Sequence, residues 1–206
     1  MLLSKRTFIG LVLAGALALS ASAAFEKNNV YTEGQFTDVP NTEWYAAEVA
    51  SAFELGLMNG TGGGLFAPDG DVTVAEAITM ASRAAAFNAG ETIDTSTGGE
   101  WYTPYVNYAA AKGIIKADAF DNYDRAATRS EVAVIFKNAL PAEWFTAKND
   151  VKSIPDVPEK SAYAADLLTL YKAGVVMGSD SYGNFFPENN ITRAEAAAII
   201  NRVALP

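Results

Sequence analysis

The 206-residue sequence contains no cysteine and no histidine. Without cysteine there is no disulfide framework, no thiolate nucleophile and no lipobox for lipid attachment. Without histidine, the commonest general base and the commonest zinc ligand are both missing. Carboxylates alone suffice for glycoside hydrolysis, but no motif places two of them across a cleft. We therefore expect a protein that is not an enzyme and that needs neither a metal nor a cofactor.

Positive charge is also scarce, since 15 lysines and arginines stand against 24 aspartates and glutamates, a formal net charge of −9. Removal of the first 24 residues takes away Lys5 and Arg6 and no acid, which lowers the charge from −9 to −11. Such a chain repels nucleic acid and anionic lipid headgroups at long range. We expect no nucleic-acid partner.

The one long apolar run, Phe8 to Leu19, is too short to span a bilayer comfortably. Lys5 and Arg6 precede it, and small residues including Ala21 and Ala23 follow it, which is the pattern of a secretory signal peptide. We predict cleavage near Ala23 or Ala24 and no stable membrane insertion after cleavage.

Three segments of the chain repeat one helix-loop-helix pattern. Each contains a tyrosine followed 11 residues later by a glycine, at Tyr45–Gly56, Tyr102–Gly113 and Tyr163–Gly174. Apolar residues at helical spacing lie between them, and the glycine suits a left-handed residue just past the helix end. After a loop, Thr-x-x-Glu opens an alanine-rich second helix, which is the pattern of a capping box. The three boxes are Thr73/Glu76, Thr128/Glu131 and Thr192/Glu195.

These motifs resemble the S-layer homology (SLH) repeat over about residues 36–205. The resemblance rests on Phe36-Thr-Asp-Val-Pro40, on Gly56-Leu-Met-Asn-Gly60 and above all on Thr192-Arg-Ala-Glu195. It implies a mainly α fold, with three repeats in a pseudo-threefold spindle around a central three-helix bundle. It also implies a secreted cell-surface protein that binds an anionic secondary cell-wall polysaccharide, often one that bears ketal pyruvate.

The pattern divides the chain into seven segments. We predict a signal peptide (1–24), an N-terminal extension (25–35), SLH repeat 1 (36–90), a linker (91–99), SLH repeat 2 (100–141), a connecting segment (142–153) and SLH repeat 3 (154–206).

Arg129 and Arg193 are the main candidate ligand residues. Each occupies the first helical position, where the macrodipole makes a cation mildly unfavourable, yet a guanidinium beside a helix N-terminus suits a carboxylate. The alternative is an ion pair with an acid of a neighbouring repeat. If the arginines bind ligand, Arg193→Ala should weaken polymer binding and leave thermal stability nearly unchanged.

Further candidates are two tryptophans, two aspartates and two glycines. Trp44 and Trp101 suit either stacking on sugar rings or packing between helices. Asp38 and Asp156 are candidate ligand residues, with capping of the first helix or pairing with an arginine as alternatives. Gly60 and Gly178 suit a left-handed turn, with close approach of a ligand as a second reading.

The repeats differ at positions that matter for binding. Val74 stands in repeat 1 where the family has arginine, and Ala162 stands in repeat 3 where repeats 1 and 2 have tryptophan. We therefore expect one or two working grooves. The alternative function is that of a structural subunit of a surface layer, which acts through contacts between proteins.

Overall fold

The computed structural model describes Phe25 and residues 27–204, and the predicted signal peptide lies outside the described residues. Within them the chain is helical and contains no strand, only isolated bridges. The mainly α class is thereby confirmed. The helices are α1 (Ala46–Glu54), α2 (Val74–Ala89), α3 (Thr103–Ala111), α4 (Arg129–Ala139), α5 (Ala164–Ala173) and α6 (Arg193–Ala204), with a 3₁₀ helix at Ala142–Phe145.

The first helix of each repeat ends as its sequence predicts. Gly56, Gly113 and Gly174 have φ angles of 68°, 72° and 75°. This left-handed backbone releases the chain from the helix at little steric cost, because glycine has no Cβ.

The second helix of each repeat begins at a complete capping box. In the first, the hydroxyl of Thr73 accepts a hydrogen bond from the amide of Glu76, and the Glu76 carboxylate accepts one from the amide of Thr73. The same two bonds are present at Thr128/Glu131 and Thr192/Glu195. Each box thus satisfies amides that no helical carbonyl can reach.

The second helices form the interior of the molecule. α2, α4 and α6 are buried on most of their length, whereas α1, α3 and α5 bury two or three residues each. α4 packs against both α2 and α6. Alanine makes up about half of the buried residues of α2 and α6.

The repeats are interleaved. α3 packs on α2, α5 packs on α4, and α1 packs on α6, so each first helix lies on the second helix of another repeat. A closed ring of hydrogen bonds joins the three segments that precede the capping boxes. The amide of Val72 donates to the carbonyl of Ile191 (3.0 Å), Ile191 donates to Ala127 (3.2 Å), and Ala127 donates to Val72 (2.8 Å). The exact threefold spindle remains a prediction.

None of the helices in the described part of the chain combines the length and apolar character that crossing a bilayer requires.

Candidate ligand-binding grooves

Three grooves lie at corresponding places in the fold, each beside the first turns of a second helix. Groove A lies beside α2 and has a volume of about 190 Å³; groove B lies beside α6, with about 250 Å³; groove C lies beside α4, with about 480 Å³. Residues that line groove A include Gly60, Glu76, Thr79, Arg83, Trp101 and Arg193. Their counterparts in groove B are Gly178, Glu195, Ala198, Arg202, Trp44 and Arg129.

Groove C differs in chemistry from the other two. Val134 occupies the position of Thr79, Asn138 that of Arg83, and Ala162 that of Trp101. Ile114, Ile115 and Phe120 extend its apolar wall. Grooves A and B are therefore of mixed polarity and contain arginine and tryptophan, whereas groove C is mainly apolar and, among the described residues, contains neither, although Lys116 lines it.

Arg193 joins repeat 3 to repeat 1. The side chain is 8% exposed, and its guanidinium lies 4.8 Å from the centre of the Phe66 ring. Nε donates to the carbonyl of Phe66 (2.8 Å), Nη1 to Glu76 (3.0 Å) and Nη2 to the carbonyl of Asn59 (2.7 Å). Burial lowers the pKa of Arg193, while the carboxylates of Glu76 and Asp38 act in the opposite direction.

Arg129 makes the corresponding contacts between repeats 2 and 3. It is 7% exposed, its Nε donates to the carbonyl of Phe185 (2.8 Å), and its Nη1 donates to Glu195 (2.6 Å). The ion pair with a neighbouring repeat, which the sequence offers as the alternative to ligand binding, is thus present at both arginines. The role of Arg129 and Arg193 in ligand binding stays a prediction.

The third boundary lacks this arginine, because Val74 replaces it. There Glu131 binds Arg125 of its own repeat through two hydrogen bonds, Nη1 to Oε2 (2.9 Å) and Nη2 to Oε1 (2.5 Å). Burial raises the pKa of Glu131, but hydrogen bonds from Arg125 and Thr128 outweigh it, so the pKa is lowered. A local arginine has therefore taken over the pairing that crosses the boundary in the other two repeats.

Trp44 and Trp101 lie at the rims of grooves B and A. They are 60% and 56% exposed, and each ring packs edge-on against the next tyrosine at 5.5 Å. Packing between helices, the alternative reading of these residues, is therefore wrong. A flat ring held at one edge and open on a groove suits contact with a sugar face.

Asp38 and Asp156 hold the loops that precede the second helices of repeats 1 and 3. The two oxygens of Asp38 accept from the amides of Phe66 (2.8 Å) and Ala67 (2.7 Å). Asp156 accepts in the same way from Phe185 (2.8 Å) and Phe186 (2.6 Å). Ala67 and Phe186 have φ angles of 59° and 53°, a conformation that side chains disfavour and that these bonds stabilise.

In the part of the chain that the structure describes, Asp38 and Asp156 neither cap the first helix of their repeats nor pair with an arginine. No side chain caps α1 or α5, and neither aspartate forms an ion pair with an arginine among the described residues. Their assignment to ligand binding stays a prediction.

Gly60 and Gly178 line grooves A and B, but neither has a positive φ angle, so the predicted left-handed turn is wrong. Close packing requires them instead. A Cβ on Gly60 would lie 2.6 Å from the carbonyl oxygen of Leu65, and one on Gly178 would lie 2.5 Å from Cα of Gly183. Both glycines therefore allow another part of the same loop, at Leu65 or at Gly183, to approach the backbone of the groove wall closely.

The sequence motifs did not single out two arginines that line the grooves. Arg83 and Arg202 both stand ten residues after the capping threonine and line grooves A and B. Comparison of the three repeats beyond Thr-x-x-Glu would have found them, with Asn138 at the corresponding position of repeat 2. Within the described residues no cluster of three or more acids suits a metal ion.

Comparison with known proteins agrees with this organisation. A family model described as the S-layer homology domain matches residues 35–78, 94–133 and 153–197, which confirms the predicted three tandem repeats. The repeat and linker boundaries themselves stay predictions.

The chain is also similar to parts of larger surface proteins. It is 26% identical over 202 residues to an S-layer protein of Bacillus thuringiensis subsp. finitimus, covering 92% of this chain and 24% of that protein. It is 26% identical over 196 residues to a surface-layer 125 kDa protein of Lysinibacillus sphaericus, covering 90% and 16%. It is 30% identical over 118 residues to exoglucanase XynX of Acetivibrio thermocellus, covering 52% and 11%. The chain thus spans about a quarter or less of the length of these relatives.

Proposed function

The chain belongs to the S-layer homology domain family, and from that premise we propose that it binds an anionic secondary cell-wall polysaccharide in grooves A and B. The family and the S-layer relatives support a secreted protein that is anchored at the cell surface. The ligand, which we propose to be pyruvylated, and its link to peptidoglycan go beyond that support.

One observation carries the proposal. Grooves A and B each combine an exposed tryptophan with two arginines, whereas groove C contains neither tryptophan nor arginine among the residues described. A ring for the sugar face and a guanidinium for an acidic substituent are the two contacts that an anionic glycan needs. They occur together in a chain of net charge −9, which would otherwise repel such a polymer.

We propose binding without cleavage. The grooves supply cations and aromatic rings, and no pair of carboxylates faces another across groove A or B. The exoglucanase relative matches this chain over 11% of its length, so its name describes a protein that is mostly outside the match.

The test is sedimentation of the protein with purified cell-wall sacculi, before and after removal of the secondary polymer. We expect the protein to pellet with intact sacculi and to stay in solution with stripped ones. A combined Trp44→Ala/Trp101→Ala variant should lose pelleting. Tyr182→Ala is the matched control, because Tyr182 is an aromatic residue 81% exposed that lines neither groove.

Pelleting that is unaffected by removal of the polymer would contradict the proposal. It would favour the alternative, a surface-layer subunit that assembles through protein contacts, for which the S-layer relatives are the supporting observation. Release of soluble sugar during incubation would contradict the proposed absence of catalysis.

A further inference from the structure

We propose that the acidic substituent of the polymer is bound by Arg83 in groove A and by Arg202 in groove B, and that the hydroxyl of Thr79 makes groove A the tighter site. The inference rests on the proposed function and assigns the anion to residues other than the arginines of the Thr-Arg motifs.

The arginines at the helix starts are already committed within the protein. All three guanidinium nitrogens of Arg193 donate to protein oxygens, and one of these oxygens belongs to the carboxylate of Glu76. Arg129 has two such bonds, from Nε to the carbonyl of Phe185 and from Nη1 to Glu195 (2.6 Å), while its Nη2 has no partner among the described residues. A ligand carboxylate at either guanidinium would meet a cation that is buried and already neutralised.

Among the described residues, Arg83 and Arg202 have no such carboxylate partner. Of the five arginines among the described residues, these two alone form no ion pair with a described carboxylate. Both are half-buried, and both line their groove two turns beyond the capping glutamate, although Arg83 also lines the neighbouring cavity that contains Tyr105. An unpaired guanidinium presents a planar fork of donors, which a carboxylate or a phosphate accepts in a bidentate manner.

Arg83 is also held in place. Its Nη2 donates to the hydroxyl of Tyr105 (3.3 Å), and its guanidinium lies 5.2 Å from the centre of the same ring. These contacts orient the side chain without neutralising its charge. A cation that is positioned before the ligand arrives loses less conformational entropy on binding.

In groove C the position of Arg83 is occupied by Asn138, which cannot bind an anion through a positive charge. Asn138 carries no charge, and its side-chain amide donates to the carbonyl of Ile114 (3.2 Å). Of the described residues, Lys116 lines groove C, but no arginine does, so tryptophan and an unpaired arginine are present or absent together among the three grooves.

Thr79 distinguishes groove A from groove B. It lines groove A, is 4% exposed, and its hydroxyl has no hydrogen-bond partner among the described residues. A buried hydroxyl without a partner is unfavourable, and a ligand oxygen in the groove would remove that penalty. Groove B has Ala198 at this position, so it cannot make the same bond.

The experiment uses three methyl glycosides as probes: one with a pyruvyl ketal, its methyl ester, and the glycoside phosphate. Titration is followed by the arginine Nε–Hε signals in NMR spectra of the wild-type protein. We expect the ketal acid to shift the signals of Arg83 and Arg202, with half-saturation at lower concentration for Arg83. The ester, which has no charge, should shift neither. A response to the phosphate in place of the ketal acid would support the anion site and identify phosphate as the anion.

Substitutions test the same assignment with the polymer itself. Arg83→Gln and Arg202→Gln should each lower affinity at least tenfold for their groove, and the double variant should no longer pellet with sacculi. Asn138→Gln in groove C is the matched control. Thr79→Ala should weaken groove A and Ala198→Thr should strengthen groove B, each about threefold to tenfold, as expected for one hydrogen bond.

The outcomes separate the inference from the function on which it rests. If the wild-type protein does not bind the polymer, both fail. If the wild type binds and the folded double variant binds equally well, or if the NMR shifts fall on Arg129 and Arg193, only the present assignment fails. Because the NMR titration uses the wild-type protein, its result stands even if a variant does not fold.

Discussion

Replacement of Arg193 by methionine should destabilise the protein strongly, although the residue stands at the first position of a helix. Methionine keeps an unbranched side chain and removes only the guanidinium. The protein then loses the ion pair with Glu76 and leaves the carbonyls of Phe66 and Asn59 without a donor. Repeat 3 is no longer tied to repeat 1 at this point.

The magnitude follows from the burial of the two partners. Removing one partner of a fully buried ion pair costs about 3–5 kcal/mol, because the other charge is left uncompensated. The Glu76 side chain is 31% exposed, however, and water can solvate it after the change. We therefore expect a loss of about 3 kcal/mol in the free energy of unfolding, at the lower end of that range.

Two other arginines provide a graded comparison. Arg129 has two such hydrogen bonds where Arg193 has three, so Arg129→Met should cost about 2 kcal/mol. Arg125 pairs with Glu131 while its side chain is 39% exposed, so Arg125→Met should cost less than about 1 kcal/mol. Urea denaturation followed by circular dichroism measures all three.

The order of the three losses is the decisive result. If Arg193→Met is no more destabilising than Arg125→Met, the contacts across the repeat boundary contribute nothing to stability. The sequence-based expectation that Arg193→Ala leaves thermal stability nearly unchanged would then be correct, and the residue would be free to act in binding.

Three further predictions concern other parts of the molecule. Gly60→Ala should lower the midpoint of urea denaturation markedly, because the new Cβ would lie 2.6 Å from the carbonyl oxygen of Leu65. Gly98→Ala is the control, because no described atom beyond its chain neighbours lies within 4 Å of the Cβ position there, and equal midpoints for the two variants would refute this reasoning. Phe25→Ala should lower the free energy of unfolding in urea by about 3 kcal/mol, because Phe25 is 5% exposed and its ring stacks on that of Phe87 at 4.8 Å. A loss below about 1 kcal/mol would show that Phe25 does not pack on the fold in solution. The pKa of Glu91 lies below its usual value because Lys112 and Tyr108 donate hydrogen bonds to its carboxylate. The contribution of Glu91 to stability should therefore be present above about pH 4.5 and should disappear as pH falls through the folded pKa. Glu91→Gln should flatten that part of a curve of unfolding free energy against pH.

Alkaline titration offers a second readout of the same contact. Burial and the hydrogen bond to Glu91 raise the pKa of Tyr108 to about 12. The folded protein therefore gains stability from this phenol below about pH 10 and loses it as pH rises towards 12. The difference in tyrosinate absorbance between the wild type and Tyr108→Phe should rise near pH 12, and a rise near pH 10 would contradict the contact.

Local chemistry made the repeats predictable. A capping box and a left-handed glycine depend on residues within one turn of each other, so Thr73 with Glu76 and Gly56 could be interpreted from their neighbours alone. The helices followed from the same signals.

Contacts between repeats could not be predicted in this way. Arg193 and Glu76 are 117 residues apart, and nothing in the spacing of either one indicates the other. The requirement for glycine at position 60 likewise depends on the carbonyl of Leu65, which approaches only after the loop has folded. The exposure of Trp44 could not be predicted from the sequence either, because the residues around it belong to α6 and to a loop of another repeat.

The packing of α1 on α6, together with the closed ring through Val72, Ala127 and Ile191, means that the order of the repeats along the chain is a matter of connectivity alone. A circular permutant that begins at repeat 2 and rejoins repeat 3 to repeat 1 through a flexible linker would preserve every boundary between repeats. Deleting one repeat would instead break two boundaries at once. The molecule should therefore tolerate relocation of its termini far better than loss of any third of its length.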